Sequence, residues 1–264
     1  NALPRIVIHH LASGEEHAID FDEEAYSLGI VEGYEFASVN LRFNYSSPTT
    51  PGQVFDYDMR SRDRLLRKTQ EVPSGHRPGD YRAKRIEATS DDGEGVPITL
   101  LYHRNTPLDG TAPVLLYGYG AYGHSIPASF VTGRLSLVDR GFIYAIAHVR
   151  GGMEKGYHWY RSGKLASKVN TFTDFIAAGQ ELVDRGFTQE GAIACHGGSA
   201  GGMLVGAVIN MRPQLFGAAV GQVPFVDVLT TMCDPDLPLT PPEWPEWGNP
   251  LDSEAAFEDI RAYS

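Results

Sequence analysis

Residues 193–204 limit the fold of this chain more than any others: Ile193-Ala-Cys-His-Gly-Gly-Ser-Ala-Gly-Gly-Met-Leu204. An apolar run enters a serine flanked by glycine pairs, and an apolar, helix-compatible stretch leaves it. That order predicts a strand, a sharp turn and a helix, with Ser199 at the turn, the setting in which a G-x-S-x-G serine acts as a nucleophile. A Cβ at Gly197 or Gly201 would crowd the strand against the helix, and the serine must take a strained backbone. The free N–H groups that open the helix then lie beside the hydroxyl, where they can hold an oxyanion. A Gly/Ser loop without chemistry has the same spelling; the flanking strand and helix favour the nucleophile.

The pattern around this turn is alternating. Strands are expected at 81–89, 96–102, 113–117, 142–148, 191–195 and 216–221, and helices at 129–140, 171–185 and 200–211. Such alternation gives an α/β fold with a mostly parallel sheet. Ligands then bind beyond the carboxyl ends of the strands, where Ser199 sits. Before Glu71-Val-Pro-Ser-Gly-His-Arg-Pro-Gly-Asp80, which reads as a linker, the pattern differs. Short strands at 5–9, 15–21, 41–45, 53–59 and 64–69 suggest a sheet-rich unit, a sandwich or propeller blades. A boundary is expected between residues 72 and 73.

Composition excludes several classes. The net charge of -11 disfavours nucleic acid and anionic membrane as partners. Cys195 and Cys233 form neither a disulfide framework nor a C-x-x-C metal motif. No apolar run approaches the roughly 18 residues of a membrane span, and no leader is visible, so a cytoplasmic protein is expected. The nine histidines lack ligand spacing, so neither a metal nor a cofactor is expected.

Gly118-Tyr-Gly-Ala-Tyr-Gly123 after a strand spells G-x-G-x-x-G. A dinucleotide site would need an acid closing the next strand, which ends instead in His148-Val-Arg150. The better reading is the loop after the third strand of an α/β-hydrolase, with Tyr119 or Tyr122 offering a phenol to the oxyanion. Arg150-Gly-Gly152 reads as a tight turn. Pro241-Pro-Glu-Trp-Pro-Glu-Trp247 is either a surface loop or an aromatic, acidic site for a cationic side chain, and both readings stand. All nine histidines precede Ser199. In an α/β-hydrolase the acid and then the histidine follow the serine, so the expectation is a chain cut before its general base.

These residues resemble the prolyl oligopeptidase family of serine peptidases, and within it the oligopeptidase B branch. The resemblance runs along essentially the whole chain. Its marks are Tyr117-Gly-Tyr-Gly-Ala-Tyr-Gly123, Ala147-His-Val-Arg-Gly-Gly152, Asn170-Thr-Phe-Thr-Asp-Phe175, Gly197-Gly-Ser-Ala-Gly-Gly202, Val223-Pro-Phe-Val-Asp227 and Glu243-Trp-Pro-Glu-Trp-Gly-Asn-Pro250. It implies that residues 1–72 end a β-propeller and that 73–264 begin an α/β-hydrolase domain, truncated before the triad Asp and His. It implies Ser199 as nucleophile, the Ala200 N–H and the Tyr119 phenol as the oxyanion hole, and Tyr122 as a wall of the primary specificity pocket. Glu243 matches the first of two glutamates that hold a P1 Arg or Lys; the second falls at Pro245, with Glu246 one place late. The acidic pair that favours a basic P2 residue falls at Pro127 and Ser129. The implied activity is hydrolysis of short peptides after Arg or Lys. Alternatives are an esterase or acylaminoacyl-type hydrolase, or a catalytically incomplete fragment acting at most as a binding module.

Overall fold

A computed structural model describes residues 3–33 and 35–264. The first strands are β1 (Val7–His9) and β2 (Glu16–Ala18), a short antiparallel pair. Then β3 (Ser27–Val31), β4 (Asn40–Ser46), β5 (Gln53–Asp58) and β6 (Arg64–Thr69) form a four-stranded antiparallel meander, the form of one propeller blade. Sequence reading missed β3, whose Ser-Leu-Gly-Ile-Val has a glycine at its centre and lacks clean alternation. Phe43, Tyr45 and Tyr57 pack with Ile6 and Ile19 into a core of their own.

The second sheet is built from β7 (Tyr81–Thr89), β8 (Gly95–His103), β9 (Val114–Tyr117), then α1 (Thr132–Val138), β10 (Ile143–Ala147), α2 (Tyr157–Arg161), α3 (Val169–Asp184), β11 (Ile193–Gly198), α4 (Ala200–Met211) and β12 (Phe216–Gln222). Strand order is β12-β11-β9-β10-β8-β7. β8 is antiparallel to both β7 and β10, while β10, β9, β11 and β12 run parallel. Period-2 alternation divides β10 between two cores. Ile143, Ala145 and Ala147 join Phe172, Phe175 and Leu182 of α3 and Met203 and Leu204 of α4. Tyr144 and Ile146 meet Leu135 and Val138 of α1 on the other face. From β9 the chain crosses to β10 on one side and returns to β11 on the other. The loops leaving β9 and β11 therefore face each other at a topological switch point, where α/β sheets bind ligands.

Three short helices follow: α5 (Val228–Met232), α6 (Thr240–Trp247) and α7 (Glu254–Arg261). The Pro/Trp segment is thus a helix rather than a surface loop. Pro241 and Pro242 sit in its first turn, where no intrahelical N–H bond is required. No helix of the described residues is long and apolar enough to cross a membrane.

Arg150 is more than a turn residue. Its guanidinium is buried, and its Nε and Nη2 donate to Asp174 of α3 at 2.9 and 2.6 Å, with the backbone N–H on the same carboxylate at 2.9 Å. Asp92 of the β7–β8 turn takes the other edge of the fork. One ion-pair network therefore ties β10, α3 and the hairpin together. Truncating Asp174 to alanine leaves a buried guanidinium without its main partner, and is expected to cost about 3–5 kcal/mol in urea unfolding of the whole protein.

Candidate active site

Ser199 stands between β11 and α4 with φ 54° and ψ −119°. Its N–H donates to Gln222 O at 2.9 Å, and its carbonyl accepts from Phe225 N–H at 3.2 Å, so the segment after β12 holds the turn in place. The surrounding glycines permit it. A Cβ on Gly197 would lie 2.0 Å from Gly201 O, and one on Gly201 would lie 2.7 Å from Gly118 O. The side chain of Ser199 is exposed while Ala200 is buried, and the Ala200 N–H opens α4 with no acceptor inside that helix.

Among the described residues five non-glycines have φ in the left-handed region. Three of them, Tyr122 (58°), Ser199 (54°) and Val223 (43°), line one cavity of about 440 Å³. Each such residue costs about 1–3 kcal/mol and persists only where the surroundings dictate it. The rest of the cavity wall is mostly apolar, with Phe225, Met232 and Leu239 among it, and includes Thr231, Thr240 and Glu243. A larger hollow of about 730 Å³ on the blade, along β3 to β6, holds none of the motif residues.

Glu243 is fixed by two donors on one oxygen: the Tyr122 phenol at 2.9 Å and the Trp247 Nε1–H at 2.8 Å both reach Oε2. Among the described residues no donor hydrogen-bonds to Oε1. Burial, then the carboxylate of Glu243, pushes the Tyr122 phenol well above the usual range. Burial also raises the Tyr119 phenol, with smaller contributions from Tyr117, Glu243 and Glu246, so Tyr119 keeps its proton and remains a donor at neutral pH. Tyr119 lies against the turn, its Cα and ring about as close to Gly201 as a side chain there would allow (3.2 and 3.3 Å from the position of a Cβ).

The structure thus gathers Ser199, Tyr122 and Glu243 around one cavity and lays Tyr119 and the first N–H of α4 beside it. Pro245 is exposed and offers no side-chain acceptor, while Glu246 is buried. Pro127 is exposed and Ser129 half-buried. Among the described residues no histidine hydrogen-bonds to the Ser199 hydroxyl. His196 packs its ring on Tyr117, His124 on Tyr119, and His148 bonds Thr99 Oγ1 in the core. Burial pushes the Cys195 thiol up to about 11, which keeps it unreactive.

Sequence reading missed the support behind this site. Glu246 Oε1 accepts from the Tyr122 N–H at 2.8 Å and Oε2 from the Tyr160 phenol at 2.6 Å. Lys168, fully buried, donates to the carbonyls of Gly120 and Gly163. Burial pushes its amine down to about 7, partly opposed by Glu246. Neither role has a local signal, because Gly120 is distant in sequence from Lys168, and Tyr122 and Tyr160 from Glu246.

Residues 128–264 match the model of the prolyl oligopeptidase family, and residues 1–70 match its N-terminal β-propeller domain. A dipeptidyl aminopeptidase BI of Pseudoxanthomonas mexicana is 43% identical over 96% of this chain, and a protease 2 of Moraxella lacunata 39% over 100%. The chain spans 35% and 38% of those proteins' own lengths. Oligopeptidase B from Trypanosoma brucei, solved in a closed form with covalently bound antipain, superposes with a TM-score of 0.93 at 44% identity, over 100% of this chain and 38% of that one. Oligopeptidase B from Leishmania major gives 0.91 at 40%, with the same coverage. With a strained serine at the sheet's switch point, a propeller blade before it and relatives along its whole length, this chain belongs to the prolyl oligopeptidase family of serine peptidases, as the end of the propeller and the beginning of an α/β-hydrolase domain.

Proposed function

We propose that the protein carrying this chain is a serine oligopeptidase that cleaves short peptides on the carboxyl side of Arg or Lys. The observation that carries this reading is Glu243. It lines the Ser199 cavity, its carboxylate is held by Tyr122 and Trp247 through Oε2, and no described residue donates to Oε1. A largely apolar cavity with a carboxylate in its wall suits a side chain with a methylene stem and a charged head.

In this reading Ser199 Oγ attacks the peptide carbonyl carbon, and its proton passes to a general-base histidine of the complete enzyme. The carbonyl π pair moves onto oxygen, where the Ala200 N–H and the Tyr119 phenol stabilise it. Collapse expels the amine, which takes the proton from the histidine, and leaves an acyl group on Ser199 for water to remove. The propeller would lie over this face and restrict entry to short peptides. No cofactor enters the scheme.

The test is steady-state kinetics of the complete enzyme. Glu243→Gln should raise KM for arginyl amides and lower their kcat/KM roughly 30-fold or more, since Pro245 leaves no second carboxylate to compensate. Substrates with a neutral P1 residue should be little changed. An equal loss on both substrate classes would remove Glu243 from the pocket. An esterase or acylaminoacyl-type hydrolase would share Ser199 and the Tyr119 loop but has no use for Glu243; it would prefer neutral acyl esters in the same comparison. One relative is named a dipeptidyl aminopeptidase, so N-blocked and free arginyl dipeptide amides belong in the panel, and turnover of the blocked amide supports the endopeptidase.

A further inference from the structure

We propose that Glu246 and Lys168 are positioning residues for this peptidase: they pin the backbone of residues 120–122 from two sides, and so set where the Tyr119 phenol and the Tyr122 ring stand, and Glu246 does not bind the substrate's cation. The inference rests on the function proposed above.

The loop needs holding. Gly120 (φ 73°), Tyr122 (58°) and Gly123 (66°) all lie in the left-handed region, and Tyr122 is not a glycine. The loop is also closely surrounded: a Cβ on Gly120 would meet Thr171 Cγ2 at 2.3 Å and Val149 Cγ2 at 2.8 Å. Two of its backbone groups, Gly120 O and the Tyr122 N–H, are taken by buried side chains. Lys168 of the segment leading into α3 donates to Gly120 O and, at 3.2 Å, to Gly163 O. Its ammonium is 5.1 Å from the Trp247 ring centroid and 5.9 Å from that of Phe172. Glu246 of α6 accepts the Tyr122 N–H through one oxygen and the Tyr160 phenol through the other, with Lys164 Nζ at 3.7 Å.

Each oxygen of Glu246 therefore holds one of the protein's own donors, and the residue is 4% exposed and does not line the cavity. Glu243 and Glu246 divide the work on Tyr122. The first holds its phenol at the cavity, and the second holds its backbone from behind. Glu246 is kept from serving as the second carboxylate of the basic pocket by its place: it is buried and stands outside the cavity wall that Glu243 lines. Releasing the loop moves the oxyanion donor and the pocket wall together, so loss should fall on kcat with every substrate rather than on KM for cationic ones.

The complete enzyme tests this with an arginyl amide and a neutral-P1 amide or ester. Glu246→Ala should lower kcat on both by about 10- to 100-fold, the range expected for displaced catalytic groups. Glu246→Gln should recover most of that loss, because the amide oxygen still accepts the Tyr122 N–H. Lys168→Met and Tyr160→Phe, which keep most of the packing, should lower kcat on both substrates in the same direction. Should Glu246→Ala fail to fold, those two variants decide. If Glu246→Gln raises the arginyl KM as Glu243→Gln does and spares the neutral substrate, Glu246 is a cation ligand and the proposal is wrong. If the folded variants all keep kcat within about twofold of wild type, the proposal is equally overturned. A wild-type enzyme without arginyl preference, but with the common fall in kcat, would sink the P1 assignment and leave the positioning role standing.

Discussion

Alanine in place of Ser199 is expected to remove peptide hydrolysis while leaving the fold intact. Loss of a serine nucleophile costs about 10⁶-fold in kcat, a magnitude known from other serine peptidases. The elbow itself should survive. It is held by backbone bonds, Ser199 N–H to Gln222 O and Phe225 N–H to Ser199 O, neither of which uses the hydroxyl. Alanine bears the same left-handed φ of 54° at much the same cost as serine. Thermal unfolding should therefore shift by no more than about 0.5 kcal/mol. Turnover that persists in this variant would mean that the acyl group forms elsewhere.

A methyl group on Gly197 should do the reverse, damaging the fold and the chemistry together. Its carbon would lie 2.0 Å from Gly201 O and 2.4 Å from Gly201 C, both backbone atoms that no rotamer change can move. The only relief is to pull α4 away from β11, which opens the core around Met203 and Leu204. Gly197→Ala should destabilise by about 3 kcal/mol, the upper end for overpacking. Activity in the folded fraction should fall by about 10²-fold as Ser199 leaves its place. Gly198→Ala is the control. There the nearest atoms, on Gln222, are 3.6 Å away or more, an ordinary contact. The two adjacent glycines should separate by more than about 2 kcal/mol in urea midpoints. Equal tolerance would mean that strand and helix are not packed as described.

The legible parts of this molecule were those set by residue type at short range. The serine between glycine pairs, the Gly118–Gly123 loop and the strand–helix alternation each impose a local condition that few other residues meet. All the quoted motifs also meet in space. The turn at Ser199 packs Gly201 on Gly118 and Tyr119, and Gly202 on Pro224. Tyr122 joins Glu243 and Glu246, and Arg150 joins Asp174. What sequence could not give was that joining. Glu246 and Tyr122 are 124 residues apart, Lys168 and Gly120 are 48 apart, and Arg150 and Asp174 are 24 apart. Asp174 lies on the apolar side of α3, where periodicity counts a carboxylate only as a break in the pattern. The helix at Thr240–Trp247 was hidden by its prolines, two of which occupy the first turn, where they are tolerated. The strain at Val223 has no spelling at all, since valine is among the residues least expected there.

The central claim is that Ser199 is acylated and that Glu243 selects a cationic acyl group. An ester of 4-guanidinobenzoic acid, which carries an arginine-like cation on an acylating carbonyl, tests both at once when the complete enzyme is digested and its peptides weighed. The account predicts one guanidinobenzoyl group per chain, on Ser199, absent from Ser199→Ala and formed more slowly in Glu243→Gln, with the uncharged benzoate ester reacting more slowly in wild type. Acylation of another residue, or equal rates for the charged and uncharged esters, would contradict it.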